Sequence, residues 1–405
     1  MDNGAVGRTT GERIKHYRIR AGMSRPVLGG LVGRSAEWVK ALETGRLLTP
    51  RLSLLLQLAR ALDVDDLAKL TGNDLDVPVE VFTGPTHSAL EAVRTALTEY
   101  RLDPPAPRVD SRHLALRLDN AWTVRHSSPD HRTALGSVLP GLIRDAQRAV
   151  RATSGPERRT ARRTLAGVYQ LADFYVAYQP APELVWLVAD RAITEAQEAD
   201  DPYAIAGGAW ALTQALRDAG RWDEALATAA SGARALEHEQ ASDDWRGLWG
   251  ALNFETAYVH ARRGKYGLAW SHWERANDVA RQLGSRYRHT QTSFSQAVMQ
   301  AHAVTLDVEL RRAGDAAKRG ARFDPATIPS LPRRSRHLVE VARAHHQQGD
   351  RAATCGYLQA ALNTAPETVQ YNGFARDMTR TLLAKPPTGL TVEVRELAAG
   401  VGVRT

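Results

Sequence analysis

Four residues between Ser35 and Glu43 carry side chains suited to the edges of base pairs. The Glu37 carboxylate can accept a hydrogen bond from cytosine N4, and the methyls of Ala36 and Ala41 can pack on a thymine methyl. Lys40 lies one helical turn from Ala36, on the same face. A second chemistry lies further along the chain. Gln214, Asn253, Gln296 and Gln300 each offer both a donor and an acceptor, the pairing that binds a peptide backbone. Trp210, Arg217, Tyr258 and Phe294 add aromatic and cationic groups to the same set. Catalytic patterns are missing. The sequence has no G-x-x-x-x-G-K-[ST] loop, no H-E-x-x-H and no G-x-S-x-G. His345 and His346 are adjacent and point different ways on a helix, and His337 with Cys355 completes no metal spacing. The expectation is a protein that is not an enzyme and takes no metal and no cofactor.

Charge separates two parts of the chain. The 405 residues carry a formal net charge of +8. From Arg8 to Leu62 there are eleven basic residues against three acids, Glu12, Glu37 and Glu43, so this stretch holds the whole surplus. A basic module on a neutral body is attracted to phosphate backbones. With 43% hydrophobic and 24% charged residues, a packed core is expected. The length allows two to four domains at about 100–200 residues each. A single cysteine excludes an internal disulfide and favours a reducing cytoplasm. No run of about 18 apolar residues is present, so no membrane span is expected. The first residues, MDNGAVGRTTGERIK, have no apolar stretch and do not read as a secretory signal.

The elements that must position Glu37 and Lys40 are short helices, five of them across residues 9–70. Thr9 and Glu12 form a capping-box pattern, with Ile14 and Tyr17 inward and Gly22 at the end. Ser24 caps a second helix bearing Val27, Leu28, Leu31 and Val32. Ser35 caps a third, AEWVKALE, with Val39 and Leu42 inward and Gly45 after it. Pro50 opens a fourth, and residues 66–70 make a last turn.

A helix, a tight glycine turn and a second short helix is a helix-turn-helix. Residues 22–50, G-M-S-R-x-x-L-G-x-L-V-G-x-S-x-x-W-V-x-x-L-E-T-G-R-x-x-x-P, resemble the Cro/phage-repressor type, or XRE-like, family. The resemblance implies that the third helix enters the major groove of a double-stranded DNA operator. It implies base contacts from Ala36, Glu37, Lys40 and Ala41, with Ser35 at the helix start. Arg25 and Arg46 would hold phosphates, Arg34 would do either, and Trp38 would buttress the sugar-phosphate backbone or pack on the next element. Arg18 and Glu43 match a pair that forms a structural salt bridge in the family. Arg25 stands where the family usually has Gln, and Gly29 where it has Ala. Two consecutive glycines, each costing about 1 kcal/mol against Ala, predict a weak second helix. So few strong base readers predict that specificity needs a dimer, bent DNA or a ligand-stabilised form.

Residues 74–82, DLDVPVEVF, alternate and suit a short strand or an extended linker. A helix is expected over 86–100, then a proline-rich break. This places a DNA-binding domain at 1–72, a linker with one helix at 73–110 and a helical domain at 111–405. In the last, Gly220, Gly264 and Gly349 each separate two amphipathic helices, with a weaker turn at Gly314-Asp315. These pairs resemble the tetratricopeptide repeat, of about 34 residues. Such arrays form a concave groove lined by the first helix of each pair, here about 203–219, 247–263, 288–312 and 335–348. The eight residues Trp210, Gln214, Arg217, Asn253, Tyr258, Phe294, Gln296 and Gln300 are its lining candidates. The tryptophans 186, 222, 245, 249, 270 and 273 read as core.

The whole chain is similar to actinobacterial-type regulators joining the two modules, through LPGLIRDA (139–146), LVWLVADRAITEA (184–196), SFSQAV (293–298) and VARAHHQQGD (341–350). The layout is also similar to peptide-sensing quorum regulators of Gram-positive bacteria. The resemblance implies an all-α homodimer: a five-helix helix-turn-helix domain followed by an α-solenoid that senses a peptide, small molecule or protein partner. The alternative is a protein-interaction scaffold in which the helix-turn-helix is a docking module.

Overall fold

The computed structural model describes residues 9–47, 50, 52–64, 66–72, 85–99, 110–237 and 242–403. Every element among them is helical. The chain divides into two compact units, Met1–Thr83 and Gly84–Thr405. The alternating segment 74–82 lies outside the described residues.

The first unit holds α1 (Thr10–Arg20), α2 (Arg25–Leu31), α3 (Ala36–Glu43), α4 (Leu52–Ala61) and α5 (Leu67–Thr71). The Thr9–Glu12 capping box is formed, with Glu12 N–H donating to Thr9 and Thr9 N–H donating to Glu12 at 2.8 Å. Ser24 and Ser35 cap α2 and α3 through their hydroxyls. Ile14, Leu28, Val39 and Leu42 are buried at the centre, joined by Leu56, Leu58 and Leu70. Tyr17 is half-buried. A helix of seven residues buries one face only. Leu28 faces in, with Val32 just beyond the helix end, while Val27 and Leu31 stay exposed.

The glycine pair in α2 is asymmetric. A Cβ at Gly29 would lie 2.6 Å from the Arg34 carbonyl oxygen, whereas one at Gly30 would meet nothing within 4 Å. Gly29 is therefore a close approach of helix to turn, and Gly30 is only a weak helix former. Gly30→Ala is expected to raise the stability of this unit by about 1 kcal/mol. Gly29→Ala is expected to lower it, because backbone must move. Thermal melts of the two variants check both signs.

The second unit begins with α6 (Leu90–Thr98), α7 (Ser111–Ser127), α8 (His131–Ala152), α9 (Gly155–Val176) and α10 (Pro182–Glu198). The helix assigned to a linker belongs here. Leu90, Val93, Ala96 and Leu97 of α6 join one core with α7–α10, because that helix has an apolar stripe to bury. Antiparallel pairs follow: α11 (Pro202–Asp218) with α12 (Trp222–Ala235), and α13 (Asp243–Arg262) with α14 (Tyr266–Leu283). Next come α15 (Gln296–Glu309) with α16 (Ala313–Arg322), and α17 (Leu331–Gln347) with α18 (Arg351–Thr364). The unit ends in α19 (Pro366–Gln370), α20 (Gly373–Ala384) and α21 (Thr391–Val401). Helices α9, α11, α13, α15 and α17 also touch one another in order, forming a continuous row.

One turn builds all four pairs. The residue two past the end of the first helix takes a left-handed φ, and the second helix starts two residues later. Gly220, Gly264 and Gly349 fill that position with φ of 72°, 67° and 78°. In the α15–α16 turn the position belongs to Arg311, at φ 59°, and not to Gly314, which lies inside α16. Asp200 repeats the device between α10 and α11, at φ 52°.

Candidate nucleic-acid interface and interior groove

Three helices are locked together behind the candidate interface by one carboxylate. Glu43, at the end of α3, is buried and accepts from Arg18 of α1 and from Arg25 Nε of α2 at 2.8 Å. Arg18 Nη2 also reaches Glu43 at 3.1 Å, and Arg18 Nη1 donates to the Met23 carbonyl in the α1–α2 turn at 2.7 Å. Burial alone would raise the pKa of Glu43. The hydrogen bonds and charges of Arg18 and Arg25 outweigh it and hold the carboxyl below its ordinary value. The Arg18–Glu43 pair is therefore present, and Arg25 belongs to the same cluster. Arg25 stands at the first position of α2, facing the end of α3, so its Nε is given to protein rather than left for a phosphate.

The opposite side of α3 is open. Glu37 and Lys40 are exposed, and Ala36 and Ala41 are half-buried. Ser35 is exposed and its hydroxyl accepts from Trp38 N–H at 3.1 Å. Trp38 is half-buried, with the Arg34 guanidinium 5.9 Å from its ring centre. Arg34 and Arg46 are exposed at the two ends of α3. A carboxylate, an ammonium and two guanidiniums thus border one short helix whose other face is core.

In the second unit the row of first helices carries a chain of charge pairs. Arg217 of α11 is buried, pairs with Glu255 of α13 and reaches Asp218 at 3.0 Å. Its guanidinium also lies 4.5 Å from the centre of the Tyr258 ring. Tyr258 O–H donates to Glu309 of α15 at 3.5 Å. Glu309 pairs with Arg343 of α17 at 3.0 Å, and Arg343 with Glu340 at 2.7 Å. Glu340 in turn holds Arg336 at 2.6 Å. Burial would raise the pKa of Glu309, but Arg343 and Arg262 outweigh it and lower it. Burial pushes Asp173 up to about 7, with Asp218 adding to the shift and Arg217 opposing it.

The eight groove candidates divide. Arg217 and Tyr258 belong to this chain of pairs, and Gln214 is half-buried beside them with its Nε2 unpartnered. Trp210 is buried and packs against Phe174 at 5.7 Å between ring centres. Gln296 is half-buried at the start of α15. Three others turn elsewhere. Asn253 donates to the Trp249 carbonyl at 3.1 Å and faces His272 of α14 at 3.3 Å. Gln300 bonds Asn277 of α14 at 3.3 Å. Phe294 is 2% exposed and fills the space over Gly250, where a Cβ would come within 2.2 Å of its ring. Asn253 thus serves packing within the α13–α14 pair, and Gln300 and Phe294 packing between that pair and the next. The acidic partners Glu255, Glu309 and Glu340, with Arg336 and Arg343, escaped the sequence reading. The spacing of 336, 340 and 343 on one helical face was the available signal.

Residues 10–70 match the family of the helix-turn-helix domain. That span reaches into all five helices of the first unit but covers a minor part of the chain. No curated protein matches the sequence. Among solved structures, a Rap protein complexed with competence and sporulation factor aligns with TM-score 0.46 and 10% identity, over 72% of this chain and 78% of that one. Bacillus thuringiensis PlcR, in complex with the peptide PapR7 and DNA, aligns with TM-score 0.31 and 13% identity, over 88% and 99%. Among the described residues no helix is long and apolar enough to cross a membrane.

Proposed function

We propose that the chain is a non-enzymatic, cytoplasmic DNA-binding transcriptional regulator of the XRE-like type. The observation that carries this reading is the helix-turn-helix of residues 10–70, whose third helix leaves Glu37 and Lys40 exposed between Arg34 and Arg46. In the proposed complex α3 lies in the major groove. Glu37 and Lys40 meet base edges, Ala36 and Ala41 pack beside them, and Arg34 and Arg46 hold the flanking phosphates. One α3 offers few base contacts, which supports action as a homodimer on two half-sites about 34–36 Å apart or a multiple. The row of paired charges and aromatic rings in the second unit supports a sensing role for a peptide, small molecule or protein partner. Such a ligand would act by changing the separation of two recognition helices.

The test is titration of the full chain with DNA from upstream of its own gene and neighbouring genes, at two salt concentrations. Sequence-preferring binding is expected, weakened about tenfold by Lys40→Ala, about 1.4 kcal/mol. Arg46→Ala is expected to weaken all sequences alike and to flatten the salt dependence by about one ion. Binding that is absent with and without cell extract, or unaffected by Lys40→Ala, would overturn this reading in favour of a docking module.

A further inference from the structure

The second unit keeps one basic cluster outside its chain of charge pairs. It lies where α7 packs against α17. His126 of α7 bonds Ser330, the residue just before α17, at 2.9 Å and the Thr290 carbonyl at 2.8 Å. Arg333 of α17 donates to the Thr292 carbonyl at 3.1 Å. Arg125 of α7 is 7% exposed, and its Nε and Nη1 have no hydrogen-bond partner. Its ring contact is Phe174, 4.8 Å from guanidinium to ring centre. Phe174 in turn meets Trp122 edge-on at 5.5 Å and Trp210 at 5.7 Å. The indole N–H of Trp122 is also buried without a partner.

Arg217, Arg336 and Arg343 each rest on a carboxylate. Among the described residues Arg125 and Arg333 have none in ion-pair contact, and only Arg333 feels a carboxylate, Glu255, that favours its charge. Burial, then the charges of Arg333 and Arg132, disfavour the protonated form of Arg125. An arginine cannot relieve this by losing its proton at physiological pH. A buried, unpaired guanidinium beside two others destabilises the fold that holds it. Arg333 and Phe174 are half-buried, so the cluster borders solvent.

We propose that the α7–α17 junction binds the carboxylate or phosphate of a small organic anion, held by Arg125 and Arg333, with its apolar part against Phe174, which Trp122 backs. The inference deepens the sensing role proposed for the second unit and rests on that reading. It names the chemistry of the sensed group: anionic at one end, flat and apolar at the other. Donors that lack partners in the protein find acceptors on the ligand, and the aromatic wall excludes water from the contact.

The full chain is titrated with phenylacetate, phenyl phosphate and inorganic phosphate, reading heat and melting temperature. Saturable binding of at least one phenyl compound is expected below about 10 mM. Arg125→Met, which keeps the apolar stem, is expected to weaken it tenfold or more. Without ligand the same variant is expected to melt higher than wild type by about 2 °C or more, since an uncompensated charge is gone. Arg333→Met provides the same binding comparison. Phenylacetate alone would assign a carboxylate ligand, and phenyl phosphate alone a phosphorylated one. No saturable binding, equal binding by wild type and both variants, or an unliganded Arg125→Met that melts lower or fails to fold would each overturn the proposal. The titration contains no DNA. Anion binding without operator binding would defeat the regulator reading and leave this site standing, and the reverse result would do the opposite.

Discussion

Glu43→Ala is expected to unfold the N-terminal unit while leaving the melting of the repeat unit in place. The reason is the number of elements that depend on one carboxylate. Glu43 carries α3, Arg18 comes from α1 and continues to the Met23 carbonyl, and Arg25 opens α2. Removing one member of a buried ion pair costs about 3–5 kcal/mol, because the partner charge stays buried and unpaired. Here two guanidiniums are left. A unit of about 60 residues has only about 3–9 kcal/mol of total stability. Calorimetry of the full chain should lose its first-unit transition, and specific DNA binding should go with it. Glu43→Gln, which keeps an acceptor, should fall between. The wild type should show the same dependence with pH. The folded pKa of Glu43 is depressed, so its contribution is fully present above the unfolded value of about 4.3. It is lost as the pH falls through the lower folded value. Acid should therefore melt the first unit below about pH 4, and this step should be missing in Glu43→Gln. An unchanged first transition in Glu43→Ala would contradict the argument.

The Arg18–Glu43 pair was legible because a family pattern supplied it, and the capped helices were legible because Ser24, Ser35 and the Thr9–Glu12 box act locally. What the pattern did not hold was Arg25 as a third member. That bond depends on how far the end of α3 stands from the start of α2, which is set by tertiary packing. The repeat turns show the same division. Three announced themselves through glycine. The one at Arg311 did not, because a left-handed φ leaves no sign when an ordinary side chain adopts it. Gly314 drew the reading three residues too far. In the groove, residue type alone selected Asn253 and Gln300, yet amides bond whichever neighbour the helix rotation presents, here α14. Phe294 was placed on a lining helix, but the structure starts α15 at Gln296 and turns Phe294 into the core over Gly250. The charge pairs across α11, α13, α15 and α17 join residues of different helices, so of their members only Arg217 and Tyr258 stood out in the sequence, and their pairing did not.

Glu367→Ala is expected to loosen the repeat unit at the place where the early helix α8 meets the late helix α19. Helix α8 begins without a local side-chain cap, since Asp130 makes no such bond. The first-turn N–H groups of Arg132 and Thr133 instead donate to Glu367 of α19, which lies 234 residues beyond Thr133. The Thr133 hydroxyl donates to the same carboxylate, and His87 Nε2 lies 3.6 Å from it. A negative charge at a helix N-terminus is favourable, and each hydrogen bond to a charged group contributes about 1.5–3 kcal/mol. Alanine leaves two backbone donors without a partner in a site that is 6% exposed. A loss of about 3 kcal/mol or more is the expected scale. Hydrogen exchange should rise at the start of α8, in α19 and along the α7–α17 contact, with α12 to α14 kept as protected as before. Glu367→Gln, with one acceptor oxygen of the right reach, should show a smaller rise at the same places. Uniform loss of protection, or none, would mean that α8 finds its cap elsewhere. Because α8 packs on α7 and α19 on α17, which carry Arg125 and Arg333, the same substitution should weaken anion binding without touching either arginine.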